Sequence, residues 1–197
     1  IQKGKTVLYE GLYYSITSVR PGMKIQNGNI LRTGAKSKAR IVYKNGDQFN
    51  VGQGTAYKVS WKKEKGKKTE TTVDLIYGSL RGVVSKKGPR NNLKVKSRTA
   101  VMGVRGTDFY FSQKGSSGKT EVSVLRGKVE LVQKSPETMP LSKEQLKRVE
   151  IPQGFSAELI SNLIKTDKKT KDKSTEAHIT LNQTSKHELL HIQKESK

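Results

Sequence analysis

The sequence predicts an all-β protein: a two-layer β-sandwich or short β-coil of many short strands, with a flexible basic C-terminal tail. Three observations carry this. Runs rich in Val, Ile, Tyr, Phe and Thr recur at short spacing, each closed by a Gly-containing turn. Helical periodicity is nearly absent before residue 160. Leu, Ile, Val and Phe supply 46 of 197 residues, just above the roughly 20% below which a highly charged chain stays disordered. One core is therefore expected, over residues 7–162, followed by a polar tail over 163–197 that is disordered or a short helix.

The elements follow in order. Leu12 to Val19 is rich in strand-favouring residues and stops at the turn dipeptide Pro21-Gly22. Ile25 and Ile30-Leu31 flank the turn signal Gln26-Asn27-Gly28-Asn29. Ala39–Tyr43 and Gln48–Val51 flank Lys44-Asn45-Gly46-Asp47, whose Asn-Gly pair suits a type I′ hairpin. Strands are expected around Ala56–Trp61, Thr71–Ile76, Leu80–Val84 and Leu93–Val95. Phe109–Phe111 and the Gly-interrupted run Glu121–Leu131 come next. The one helical candidate before residue 160 is Ser142–Arg148, where Ser142 would cap and Gln145 would sit at the third helical position. Lys165–Ser174 has no apolar residue and reads as a solvated linker. Ala177–Ile192 has some periodicity, enough for a short amphipathic helix or an unfinished piece of something larger.

The net charge is +22, and 22 of the 39 Lys and Arg but 5 of the 17 Asp and Glu lie in residues 1–100. Such an excess raises encounter rates with polyanions. There is no cysteine, which excludes a disulfide framework, a thiol nucleophile and Cys-ligated metal. No apolar run approaches the roughly 20 residues of a membrane-spanning helix. The start, Ile1-Gln2-Lys3-Gly4-Lys5, lacks the apolar stretch of a signal peptide. A mature or trimmed chain, its signal or anchor removed, is the expectation.

The most informative stretch is Gly103-Val104-Arg105-Gly106-Thr107-Asp108-Phe109, followed by Val124-Leu125-Arg126-Gly127-Lys128-Val129. Gly103 and Gly106 permit positive φ or close backbone approach around Arg105. The planar fork of Arg105 is expected to hold this corner together, with Asp108 as the nearest carboxylate. These residues, Gly127 included, are read as structural.

These two blocks carry a resemblance, joined in chain order by Gly28–Ile41, Lys44–Asp47, Tyr77–Gly82 and Ile151–Ala157. Together they cover about residues 10–160 and resemble the FecR domain of bacterial envelope proteins. Residues 53–74, with their Lys-rich insert, look longer than the family pattern. The resemblance implies an all-β, non-enzymatic domain without cofactor, in the periplasm or cell envelope, working in signalling through a protein partner. The best-known members carry a cytoplasmic anti-sigma segment and a transmembrane helix before this domain, and neither is visible here.

Catalytic patterns find little support beside this resemblance. His187-Glu188-Leu189-Leu190-His191 has the H-E-x-x-H spacing that puts two imidazoles on one helix face for zinc. A third ligand is missing, and the segment reads as part of the polar tail, so a metal site at His187, Glu188 and His191 is declined. All three histidines lie after residue 177, leaving the β domain without an imidazole base, and no carboxylate pair stands out. Gly52-Gln53-Gly54-Thr55 lacks the spacing of a phosphate loop.

The remaining candidate is electrostatic. Trp61, Lys62, Lys63, Lys65, Lys67 and Lys68 set an aromatic beside five lysines, and Lys86, Lys87 and Arg90 form a second cluster. Lysines beside a stacking platform can track an anionic polymer or surface. The plainer reading is a solvated hairpin tip whose lysines block edge-to-edge aggregation. Nucleic acid is disfavoured, since strand-rich nucleic-acid readers show clustered exposed aromatics and Trp61 stands nearly alone.

Overall fold

The computed structural model describes residues 5–9, 12–44, 46–62, 69–86, 92–114, 118–134, 142, 146–166 and 173–195, with backbone alone for 5–9, 12–16, 92, 161–166, 173–176 and 193–195. β1 (Lys5–Tyr9) and β2 (Leu12–Ile16) pair antiparallel as a separate ribbon. Thirteen strands follow: β3 (Ile30–Arg32), β4 (Ala39–Val42), β5 (Gln48–Val51), β6 (Ala56–Lys62), β7 (Glu70–Val83), β8 (Asn92–Lys96), β9 (Ala100–Val104), β10 (Asp108–Lys114), β11 (Lys119–Arg126), β12 (Lys128–Gln133), β13 (Arg148–Pro152), β14 (Phe155–Thr166) and β15 (Lys173–Gln183). One helix, α1 (Lys186–Glu195), closes the described chain. The protein is all-β, as its turn spacing predicts.

The architecture turns on β7. Its first half, Glu70–Tyr77, pairs with β6 and β8, and its second half, Gly78–Val83, with β5 and β10. The first sheet therefore runs β3-β6-β7-β8-β9-β12-β13 and the second β4-β5-β7-β10-β11-β14-β15. Every pairing is antiparallel except β7 with β8. The sequence suggests two strands here, Thr71–Ile76 and Leu80–Val84, with a gap at Gly78 between them. It is a crossing instead. Gly78 takes φ +94°, a conformation open to Gly at little cost. The inward residues switch there from odd positions (Val73, Leu75) to even ones (Leu80, Gly82), so both halves face one core.

Side-chain hydroxyls support the crossing. The Ser79 N–H donates to Thr55 Oγ1 (3.0 Å), and the Gly52 N–H donates to the Ser79 carbonyl (2.9 Å). Thr33 Oγ1 donates to the Gly52 carbonyl at 2.6 Å and accepts from the Thr55 N–H at 2.9 Å. Backbone groups at the switch are thus paired rather than buried without partners.

The core lies between the sheets, with Phe49, Leu80, Phe109, Phe111 and Val122 from the second against Tyr57, Leu75, Met102, Leu131 and Ile151 from the first. Phe49 meets Tyr43 and Phe109 edge to face, at centroid distances of 5.6 and 6.4 Å. Polar contacts tie the layers at two places. The Tyr43 and Tyr57 hydroxyls are 2.9 Å apart. Thr120 Oγ1 lies 2.8 Å from Ser97 Oγ and 2.7 Å from Thr99 Oγ1, and donates to Gln113 Oε1 at 2.8 Å.

Two expectations are corrected and one is trimmed. The Gly46 N–H donates to the Tyr43 carbonyl and the Tyr43 N–H to the Asp47 carbonyl, so the hairpin closes at Tyr43 and Asp47 and not at the pair a two-residue I′ turn requires; Asn45 itself lies outside the described residues. Within Ser142–Arg148, residues 143–145 lie outside the described residues; the rest shows one helical bond, from the Leu146 N–H to the Ser142 carbonyl, in keeping with a single turn between strands, and Arg148 already belongs to β13. The boundary after residue 162 falls inside β14, and 173–183 form a strand on it. Ala177 and Ile179 turn inward from β15 at the period of two that a half-buried strand requires. The polar run before them hides that signal. After β15, α1 docks on the outer face of the second sheet, with Ile192 only 1% exposed.

Candidate functional site

Alternation sends Asp108, Tyr110 and Ser112 of β10 and Glu121 and Ser123 of β11 to the outer face of the second sheet. α1 lies across this face. Ser185 caps it, accepting the Glu188 N–H at 3.1 Å, and the Glu188 carboxylate accepts from Ser123 Oγ at 2.8 Å. The result is a groove of about 710 Å³, with Tyr77 and Tyr110 on one side, His187 and His191 on the other, and Ser112 and Ser123 lining it between them.

The charges in and beside the groove are committed to one another. Lys119 Nζ lies 2.5 Å from Glu158 and 2.9 Å from Glu121, pairs that push its pKa upward. Burial raises the Glu121 pKa, but the Lys119 hydrogen bond, the Lys114 and Lys119 charges and the Ser112 hydroxyl outweigh it and hold the carboxyl below its ordinary value. One register step away, Arg81 grips Asp108 with both arms, Nε to Oδ1 at 2.9 Å and Nη2 to Oδ2 at 2.8 Å. The Asp108 hydrogen bond raises the Arg81 pKa further.

That pairing corrects the expected role of Arg105. Its side chain is exposed, and the fork on Asp108 belongs to Arg81, which reaches it diagonally across the β7–β10 pair from its place opposite Tyr110. Gly103 is also not strained: a Cβ there meets nothing within 4 Å. The other motif residues do build one corner. Gly106 (φ +65°) and Gly127 (φ +85°) pack together, a Cβ on Gly127 lying 3.0 Å from Thr107 Cγ2 and 3.1 Å from the Gly106 carbonyl. Thr107 is buried and its carbonyl accepts the Val84 N–H at 2.8 Å, while Phe109 enters the core. The two Gly motifs are the two sides of one contact.

The basic candidates are separated. Trp61, 38% exposed, and Lys62 stand at the start of β7's first half, across from Thr71 and Glu70. Lys86 follows the far end of β7, where its side chain covers Gly106. The two described clusters thus sit at opposite ends of a 14-residue strand. Lys63, Lys65, Lys67, Lys68, Lys87 and Arg90 lie outside the described residues. His187, Glu188 and His191 occupy a docked helix rather than a free tail, yet among the described residues no three His, Asp or Glu groups converge as a metal cluster. No helix among the described residues is long and apolar enough to cross a membrane. Arg81, Tyr110, Lys119, Glu121 and Glu158 escape sequence reasoning because only strand register brings them together.

No curated protein matches the chain in sequence. Among solved structures, the fold is similar to two crystal structures, at 2.50 and 1.65 Å, of a protein named "putative anti-sigma factor" from Parabacteroides distasonis ATCC 8503. Each superposes with a TM-score of 0.51 at 13% identity, covering 76% of this chain and 59% of the other. The likeness is one of fold, and the chain spans about 59% of the length of those structures. In sequence, residues 29–130 match the family described as FecR protein. That span takes in β3 through the first half of β12, with the Gly106–Gly127 corner and the β7 crossing inside it, and the chain belongs to the FecR family.

Proposed function

We propose that the chain is a non-catalytic FecR-type signalling module of the bacterial cell envelope, acting in the periplasm through protein–protein contacts. The observation that carries this is the saturated charge network beside the α1 groove. Glu121, held ionised by Lys119 and Ser112, is tuned away from the neutral-range pKa that proton transfer favours. Glu188 is engaged by Ser123. Groups fixed in place by their neighbours suit recognition, which rewards preorganised surfaces. Family membership supports the envelope setting, and the name of the structural neighbour supports a regulatory role.

A photo-crosslinking side chain placed in turn at His187 (groove), Leu181 (β15), Val42 (β4) and Lys62 (first sheet) tests the proposal in envelope fractions. A discrete protein adduct concentrated at one position is the expected result. Absence of protein adducts at all four would overturn it, above all if the chain were retained on an anionic polymer, released by salt and lost with Lys62→Ala.

A further inference from the structure

The hydrogen-bonded path that starts at β13 runs through β12, β9, β8, β7, β10, β11 and β14 and ends at β15. Its two terminal strands line one cleft of about 360 Å³, formed by Lys147, Arg148 and Val149 on one side and His178, Ile179 and Leu181 on the other. The sheet is wrapped almost into a closed barrel, and this cleft is its open seam. We infer that the seam receives an extended segment of a partner protein, added as a strand along β15, in which apolar and acidic residues alternate. The inference rests on the protein-contact reading above and names the surface and the chemistry.

Four features point there. The first is length. The sheet edges on the other side of β7 are the three-residue β3 and four-residue β4, whereas β15 runs eleven residues. Natural proteins blunt edge strands by shortness, proline or a covering element, and β15 contains no proline. A long edge offers a row of backbone N–H and C=O groups that a peptide in β-conformation can complete.

The second is shape, since the two edges flank one slot, so an added strand has protein on both sides. The third is the alternation of the lining. Val149 and Ile179 turn partly inward, Leu181 is on the same face of β15 as Ile179 and is 42% exposed, while Arg148 and His178 turn outward. A strand laid between them presents side chains with the same period of two, apolar residues toward Val149, Ile179 and Leu181 and acidic ones toward Arg148. The fourth is charge. Lys147 and Arg148 are the cations lining the cleft, and among the described residues no carboxylate lines it, on a chain of net charge +22.

The test uses the full chain and synthetic peptides of about nine residues, long enough to run along most of β15. One alternates Val or Ile with Glu. A second has Lys for Glu, a third the same composition with the acids in one block, and a fourth carries central prolines that remove backbone donors. Fluorescence anisotropy at about 0.15 M salt should show the alternating acidic peptide binding at least about tenfold more tightly than each control. Amide exchange should slow along residues 177–183. Arg148→Glu, an exposed substitution, should weaken the acidic peptide about tenfold and favour the lysine peptide; Leu181→Glu should weaken it without touching the basic side.

Equal affinity for the blocked and alternating peptides, or indifference to Arg148→Glu, would overturn the inference and leave bulk charge attraction. So would a crosslink between Leu181 positions of two copies of this chain. Peptide failure with protein adducts at His187, Val42 or Lys62 removes the seam but keeps the module. Failure of both removes the protein-contact reading itself.

Discussion

The outer faces of the two sheets are written with the same alternation along the same strand, β7, and they behave differently. On the first sheet Asp74 stands between Lys58 and Lys96, and Glu70 between Lys62 and the β8 edge. Lys94 reaches Glu70 at 2.5 Å, with the two side chains 45% and 40% exposed. On the second sheet Arg81 and Asp108 are 22% and 16% exposed, and the Lys119 network lies beside a docked helix. One face is a solvated ladder of lysines with a few acids between them; the other is a partly buried network. Water decides the difference, because exposed pairs are screened and buried ones are not.

The strongest way to break the comparison is to attack the strand both faces share. Gly78→Ala forces a side chain into positive φ, with its Cβ 2.6 Å from the Thr55 Cα. A loss of about 2–4 kcal/mol is expected from backbone strain plus overpacking, read as a lower urea midpoint with unchanged slope. A wild-type midpoint would mean the crossing is pliable and the sheets are only loosely coupled.

Arg81→Ala comes next. It leaves the Asp108 carboxylate partly buried without its bidentate partner, an expected cost of about 1–3 kcal/mol. Lys94→Ala on the first sheet should cost under about 0.5 kcal/mol and should vanish into error at high salt. If the two variants shift thermal stability equally, burial is not what separates the faces.

The pH dependence sharpens the same contrast. Glu121 has a folded pKa below its ordinary value near 4.5, so its contribution is fully present above that value. It is lost as pH falls through the folded pKa. Glu121→Gln should therefore flatten the acid limb of stability below about pH 4.5 while changing little near neutrality beyond the lost pairing. An unchanged acid limb would show that Glu121 is not held by Lys119.

What the sequence reveals and what it hides divide along the same line between local and distant. Strand-forming runs and the turns at Gly22 and Gly28 depend on a few adjacent residues, and they are legible, as is the place of the Gly46 turn though not its type. The glycines at 106 and 127 stand out in the sequence, but only the fold shows that they meet in one corner. The partner of Asp108 is not legible. Arg105 lies three residues away and Arg81 twenty-seven, and only the register of β7 on β10 decides between them. The docked helix is hidden for a similar reason. Ile192 and Glu188 look like residues of a polar tail until the outer face of the second sheet, with the Ser123 hydroxyl, is brought beneath them. The α1 groove and the seam are both products of topology, and neither has a sequence motif of its own.

The crossing strand also sets an order in time. β5 and β6 run antiparallel along one edge of β7, from Gln48 opposite Val83 to Lys62 opposite Glu70. β8 and β10 take the other edge. A chain emerging N-terminus first therefore has both upstream neighbours of β7 in hand when β7 appears. The half-built ribbon then offers one uninterrupted edge that nucleates the two downstream layers in turn.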